Sequence, residues 1–194
     1  MAFARKNALF IVAAVCLMAV LLVAYNVAHD GDKKAAPKLS YSLIEGYGGT
    51  FPRPDAAEQP SLDKTYKVVF DVTSAINDTT AVHPGLGRVA RAVNIFGDSG
   101  VPLDHLKFVA VIHGPATRTI LDDKQYDKRA GGDNPNHGLI QALTDAGVKV
   151  IVCGQSLNHL GVEDSDIDKN VIIAPAALST LAIYGNDGYA YEHL

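Results

Sequence analysis

Apolar runs of strand length alternate with segments of helical periodicity from about residue 66 to the C-terminus, and this alternation limits the fold more than any other feature of the chain. Tyr66-Lys67-Val68-Val69-Phe70-Asp71-Val72 is rich in β-branched and aromatic residues, which suit a pleated, half-buried surface. Residues 85–96 place Leu86, Val89, Ala90, Val93 and Phe96 on one helical face and end at Gly97. Residues 106–112 are almost continuously apolar, as expected of a strand covered on both sides. Residues 116–121 read as a helical piece and 122–134 as a polar loop. A helix follows to residue 146, with Asn136 as its candidate cap and Gly147 closing it. Residues 149–153 form a third strand, 156–160 a short helix, 171–174 a fourth strand, 176–184 a helix and 189–191 a last strand. The pattern predicts an α/β fold of three layers, a mostly parallel five-stranded sheet with helices on both faces.

Cys153 is the most informative single residue. The run Val148-Lys149-Val150-Ile151-Val152 delivers it to the C-terminal tip of a buried strand, and Gly154-Gln155-Ser156 begins the next turn. In parallel α/β sheets that edge is where ligands and chemistry gather. A helix starting at Gly154 or Gln155 would aim backbone N–H groups at the sulfur and favour thiolate. The alternative is a small apolar residue filling a strand end. His113 and Asp71 also fall at C-terminal strand ends, so one shared pocket is expected.

The N-terminus bears on the compartment. Arg5 and Lys6 precede an apolar stretch over residues 8–28, long enough for a bilayer-spanning helix. The basic flank predicts that the remainder is exported. Cleavage sites of the small-x-small kind are poor here, so residues 1–28 read as a signal anchor in preference to a cleaved signal peptide. Residues 29–61 form a polar linker and then an irregular arm, in which Tyr41, Leu43, Ile44, Tyr47 and Phe51 alternate with glycines and prolines. The folded domain is expected over residues 62–194. Cys16 lies inside the apolar stretch and leaves Cys153 as the one thiol of the exported part, unable to form an internal disulfide. A net charge of −4, no Trp and no basic stripe argue against a nucleic-acid partner.

Other motifs are weak. Gly85-Leu86-Gly87-Arg88-Val89-Ala90 matches a dinucleotide fingerprint formally, but residues 73–84 separate it from the strand it should directly follow. Cys153, His159, His113 and His137 lack the paired spacing of a zinc site. Gly154-Gln155-Ser156-Leu157-Asn158 lacks the second glycine of a nucleophile elbow. Neither a cofactor nor a metal is therefore expected.

Several motifs occur in order: Gly46-Tyr47-Gly48-Gly49, Tyr66 to Asp71, Pro84-Gly85-Leu86-Gly87-Arg88-Val89-Ala90-Arg91, Val109-Ala110-Val111-Ile112-His113-Gly114-Pro115-Ala116, Asn134-Pro135-Asn136, Ala146 to Gln155, and Gly188-Tyr189-Ala190-Tyr191. Together they resemble the DsrE/DsrF family, in particular its exported proteobacterial branch. The resemblance spans most of residues 43–192. It implies a flavodoxin-like α/β domain that assembles into trimers or hexamers. It also implies sulfur handling, with Cys153 as the persulfide-bearing residue of a carrier or sulfurtransferase that meets a sulfur-donor or acceptor protein. His113 and Asn134 are then expected to line its pocket, with Gly154, Gln155 and Asp71 beside it. The location so implied is periplasmic. The rival expectation is a non-catalytic ligand-binding or assembly module with Cys153 as a packed thiol.

Overall fold

Five strands form one fully parallel sheet in the computed structural model, which describes residues 17–25 and 37–194. They are β1 (Tyr66–Val72), β2 (Leu106–Ile112), β3 (Lys149–Cys153), β4 (Ile172–Ala174) and β5 (Ala190–His193), in the order β4-β3-β2-β1-β5. Five helices join or follow them: α1 (Pro84–Asp98), α2 (Asp123–Ala130), α3 (His137–Asp145), α4 (Gly154–Leu160) and α5 (Ala177–Asn186).

The strand order explains how the helices divide between the two faces. From β1 to β4 the chain steps always in one direction, and right-handed crossovers put the intervening helices on one side. The return from β4 to β5 runs the other way, so α5 lands on the opposite side. The buried residues agree. Phe70, Val72, Phe108, Ala110, Ile112, Val150 and Val152 pack with Leu86, Val89 and Val93 of α1 and Leu139, Ile140 and Leu143 of α3. On the other face Val69, Val109, Val111, Ile151 and Cys153 pack under Ala177, with Leu181 and Tyr184 partly covering them. One helix therefore shields a face that several elements shield on the opposite side.

The compact unit runs from Leu39 to Leu194 and includes the irregular arm. Asn94, fully buried on α1, fastens that arm: its Oδ1 accepts from Leu43 N (3.0 Å) and Ile44 N (2.8 Å), and its Nδ2 donates to Tyr47 O (2.9 Å). Gly48, at φ +62°, passes so close to α1 that an added Cβ would collide with Arg91 N. Ser40 and Thr50 pair across the arm, and both hydroxyls donate to Asp98.

Three local expectations change. The segment expected as a polar loop contains α2, capped by Asp122 accepting from Gln125 N at 2.7 Å. Its apolar signal is weak because Tyr126 is its one buried residue. Residues Gly114–Ile120 wind as a 3₁₀ segment. Asn136 occupies the cap position of α3 without capping it, because its Oδ1 accepts from His83 N at 2.7 Å instead. The expected membrane span over residues 8–28 lies mostly outside the described residues; residues 17–25 are helical. Among the described residues no helix is long and apolar enough to cross a membrane.

Candidate functional site

The sheet register gathers the strand-end residues on one face. Asp71 pairs with Val111 and with His193, and Ile112 pairs with Val152. Partners in a parallel ladder share a face, and side chains alternate along a strand. Asp71, His113 and Cys153 thus lie on the face that carries α5, with His113 and Cys153 as the next pair beyond the ladder of β2 and β3.

Cys153 ends β3 and is buried, at 6% exposure. Burial opposes ionisation of its thiol. The Ser156 hydroxyl and the nearby backbone N–H groups of Ala177, Ser156 and Gln155 favour the thiolate and outweigh that penalty, so the thiol ionises below its ordinary range. The chain folds this way because α4 begins directly after the strand and turns its first N–H groups back onto Cys153. Gly154 permits the turn: an added Cβ would sit 2.9 Å from Ala174 O at the end of β4. Gln155 is held by its Nε2 donating to Pro175 O at 3.2 Å.

His113 and Asp71 form a fixed pair. The Nε2–H of half-buried His113 donates to Asp71 Oδ1 at 2.6 Å. Tyr191 Oη of β5 donates to Asp71 Oδ2 at 2.5 Å. Asp71 is buried, so these two donors compensate its carboxylate. The same hydrogen bond, with burial and the carboxylate charge, holds the Tyr191 phenol above its usual range.

Asn134 does not join this group. Its Nδ2 donates to Thr119 O (2.9 Å) and Leu121 O (2.7 Å), and its Oδ1 accepts from Asn136. Every polar atom of that amide ties loops together, so Asn134 is a structural clamp. The histidines weighed as zinc ligands are dispersed: His137 is wedged between Asp168 (2.5 Å) and Asp123 (3.1 Å), while His113 is committed to Asp71. Gly85 and Gly87 open α1 below His83, as helix-start residues.

Two members of the site escaped sequence reasoning. Ser156 stands one helical turn after Cys153, a Cys-x-x-Ser spacing that carried a usable signal. Tyr191 reaches Asp71 only through the β1–β5 register, which sequence does not display. A cleft of about 660 Å³ opens beside Ser156, between residues 75–76, the 3₁₀ segment and α4.

A five-stranded parallel sheet with helices on both faces, a strand-end thiol and an Asp–His pair on the same edge defines an α/β protein of the doubly covered kind. The model of the DsrE/DsrF-like family matches residues 67–191, and the chain belongs to that family. Among solved structures it is similar to a protein of unknown function, MTH1491, from Methanobacterium thermoautotrophicum. The identity is 19% and the TM-score 0.51, over 66% of this chain and 99% of that one, a likeness of fold. No functionally curated protein matches the chain.

Proposed function

We propose that this protein carries sulfur. Cys153 accepts a sulfane sulfur atom as a persulfide and passes it to an acceptor. The observation that carries this reading is the place of Cys153, the last residue of β3 and the residue on which α4 begins, where Ser156 and the neighbouring backbone favour its ionisation despite burial. A thiolate is the form that attacks sulfane or disulfide sulfur. Family membership supports the same chemistry, and the Asp71–His113 pair supplies a held imidazole on the same edge.

The test is direct. The folded protein is exposed to a sulfur donor and its intact mass is read. One added sulfur atom on Cys153, absent in Cys153→Ala, supports the carrier. Failure of any donor to modify the folded protein sinks it.

A second reading has its own observation. Leu178 and Ile183 on α5 are 85% and 58% exposed, on the single helix over that sheet face. Large exposed apolar residues suit an assembly interface, so we also propose a homo-oligomer, a trimer or hexamer, joined through α5. Sedimentation of Leu178→Glu against the parent chain decides this, and an unchanged mass for both would end it. The basic-then-apolar N-terminus supports an exported protein of the proteobacterial kind, held at the inner membrane with residues 39–194 in the periplasm. Protease accessibility in spheroplasts checks that placement.

A further inference from the structure

The arm and the outer side of α1 present one apolar face to solvent. Leu39, Phe51, Leu62 and Ile95 are each 45–53% exposed. Phe51, Leu62 and Ile95 line a single cleft of about 580 Å³ between the arm and the end of α1. The Ser40–Thr50 bridge is antiparallel, which sets Leu39 opposite Phe51. Side chains alternate along such a pair. Ser40 and Thr50 turn inward, their hydroxyls on Asp98, and Leu39 and Phe51 turn out. Contiguous apolar surface of this kind marks an interaction face.

Cations border it. Arg88 and Arg91 stand two turns and one turn before Ile95, on the same side of α1. Both are exposed, as is Lys38, and none of the three enters an ion pair among the described residues. Arg53 forms an exposed pair with Asp55. Of the two carboxylates lining the cleft, Asp98 is taken by the Ser40 and Thr50 hydroxyls, and Glu58 is left at the rim.

The chain departs from this same face toward its apolar segment. Leu39 is the first residue of the compact unit. The helix over residues 17–25 is apolar all round, with its large side chains 60–65% exposed. A helix of that character belongs in a protein core or a bilayer. Residues 26–38, even fully extended, span at most about 50 Å.

We propose that this face of the arm and α1 docks on the surface of an anionic lipid bilayer. The proposal rests on the membrane anchoring put forward above, which holds the face near lipid and raises its effective concentration there. Leu39, Phe51, Leu62 and Ile95 enter the boundary between headgroups and acyl chains, and Lys38, Arg88 and Arg91 meet lipid phosphates. Because α1 covers the sheet face opposite α5, docking leaves Cys153 and α5 turned toward solution.

The test separates anchoring from docking. The full chain is inserted in vesicles of phosphatidylcholine and phosphatidylglycerol. A polarity-sensitive dye is placed on Phe51→Cys in a Cys16→Ser, Cys153→Ala background, with Asn186→Cys on α5 as the control position. Flotation reports the anchor, and quenching of the dye by lipids brominated along their acyl chains reports docking. Quenching is expected at residue 51 and not at residue 186. Arg88→Gln combined with Arg91→Gln should lower the docked-to-undocked ratio about thirtyfold, and salt should lower it too. Hydrogen exchange over residues 39–62 of the unlabelled chain should be slower in these vesicles than in phosphatidylcholine alone, which excludes an effect of the dye. Flotation with an unquenched dye at residue 51 keeps the anchor and overturns docking. A chain that does not float overturns both. Quenching indifferent to the two arginines and to lipid charge overturns the anionic surface. A dye shielded from water yet unquenched, in a chain that cross-links to a second copy, assigns the face to self-association and also overturns the proposal.

Discussion

Replacing Ser156 by alanine tests the central physical claim, that hydrogen bonds to sulfur overcome the cost of burying a charge. Four groups favour the Cys153 thiolate: the Ser156 hydroxyl and the N–H groups of Ala177, Ser156 and Gln155. The substitution deletes the first and leaves the backbone donors and the burial in place. A hydrogen bond to a charged acceptor is worth about 1.5–3 kcal/mol, and sulfur is a weak acceptor, so the lower end applies. About 1.4 kcal/mol is a factor of ten, so the thiolate-to-thiol ratio of the variant should fall roughly tenfold at any pH below its midpoint. The fold should barely notice. Gly114 N loses Ser156 Oγ as an acceptor (3.1 Å), but Gly114 is exposed and water replaces it. The assay is the rate of iodoacetamide labelling against pH, read by intact mass in a Cys16→Ser background. The parent should show a midpoint below that of a free thiol, about 8.5. The variant profile should move toward higher pH, with labelling near neutrality slowed about tenfold in step with its thiolate fraction. Superimposed profiles would refute the reasoning. So would a variant that labels faster in acid, or a thiol in both proteins that reacts only on unfolding.

Asp71→Asn removes the charge that holds His113 and Tyr191; two hydrogen bonds to half-exposed partners imply about 2 kcal/mol of destabilisation by chemical denaturation. In the same variant the Tyr191 phenol should ionise at lower pH, visible in an NMR titration of labelled tyrosine. Asn94→Ala strips several bonds from the arm and should cost about 3 kcal/mol, roughly 6–12 °C in Tm. It should also expose residues 40–50 to limited proteolysis. Burial holds the His83 imidazole below its usual range, although its bond to Ser74 O (2.8 Å) pulls the other way. The unfolded chain then takes up the proton first as pH falls. This contribution to stability is complete above about pH 6.5 and is lost progressively below it, until the folded pKa is passed. In His83→Gln the slope of stability against pH between 6.5 and 5 should flatten, even though the variant is less stable overall.

Strand and helix order was legible because burial imposes periodicity. Tyr66–Val72, Leu106–Ile112 and Lys149–Cys153 announce themselves by composition, and parallel strands covered on both faces need nothing more. The strand-end positions of Asp71, His113 and Cys153 follow from those same runs. The helix Asp123–Ala130 stayed hidden because capping and one buried tyrosine, with no apolar stripe, hold it.

What the sequence by itself determined is the fold class and the delivery of a thiol to one edge of the sheet, since both depend on local pattern. Tertiary structure alone decided which neighbours that thiol has. The β1–β5 register brings Tyr191 to Asp71, and the reversal after β4 places Ala177 N–H over Cys153. Loop packing spends Asn134 on Thr119 and Leu121 and leaves Thr117 unpaired. Each of these is a meeting of residues far apart in the chain. Hydrogen bonds require agreement within a few tenths of an ångström, and only the packed sheet and its helices set positions that closely.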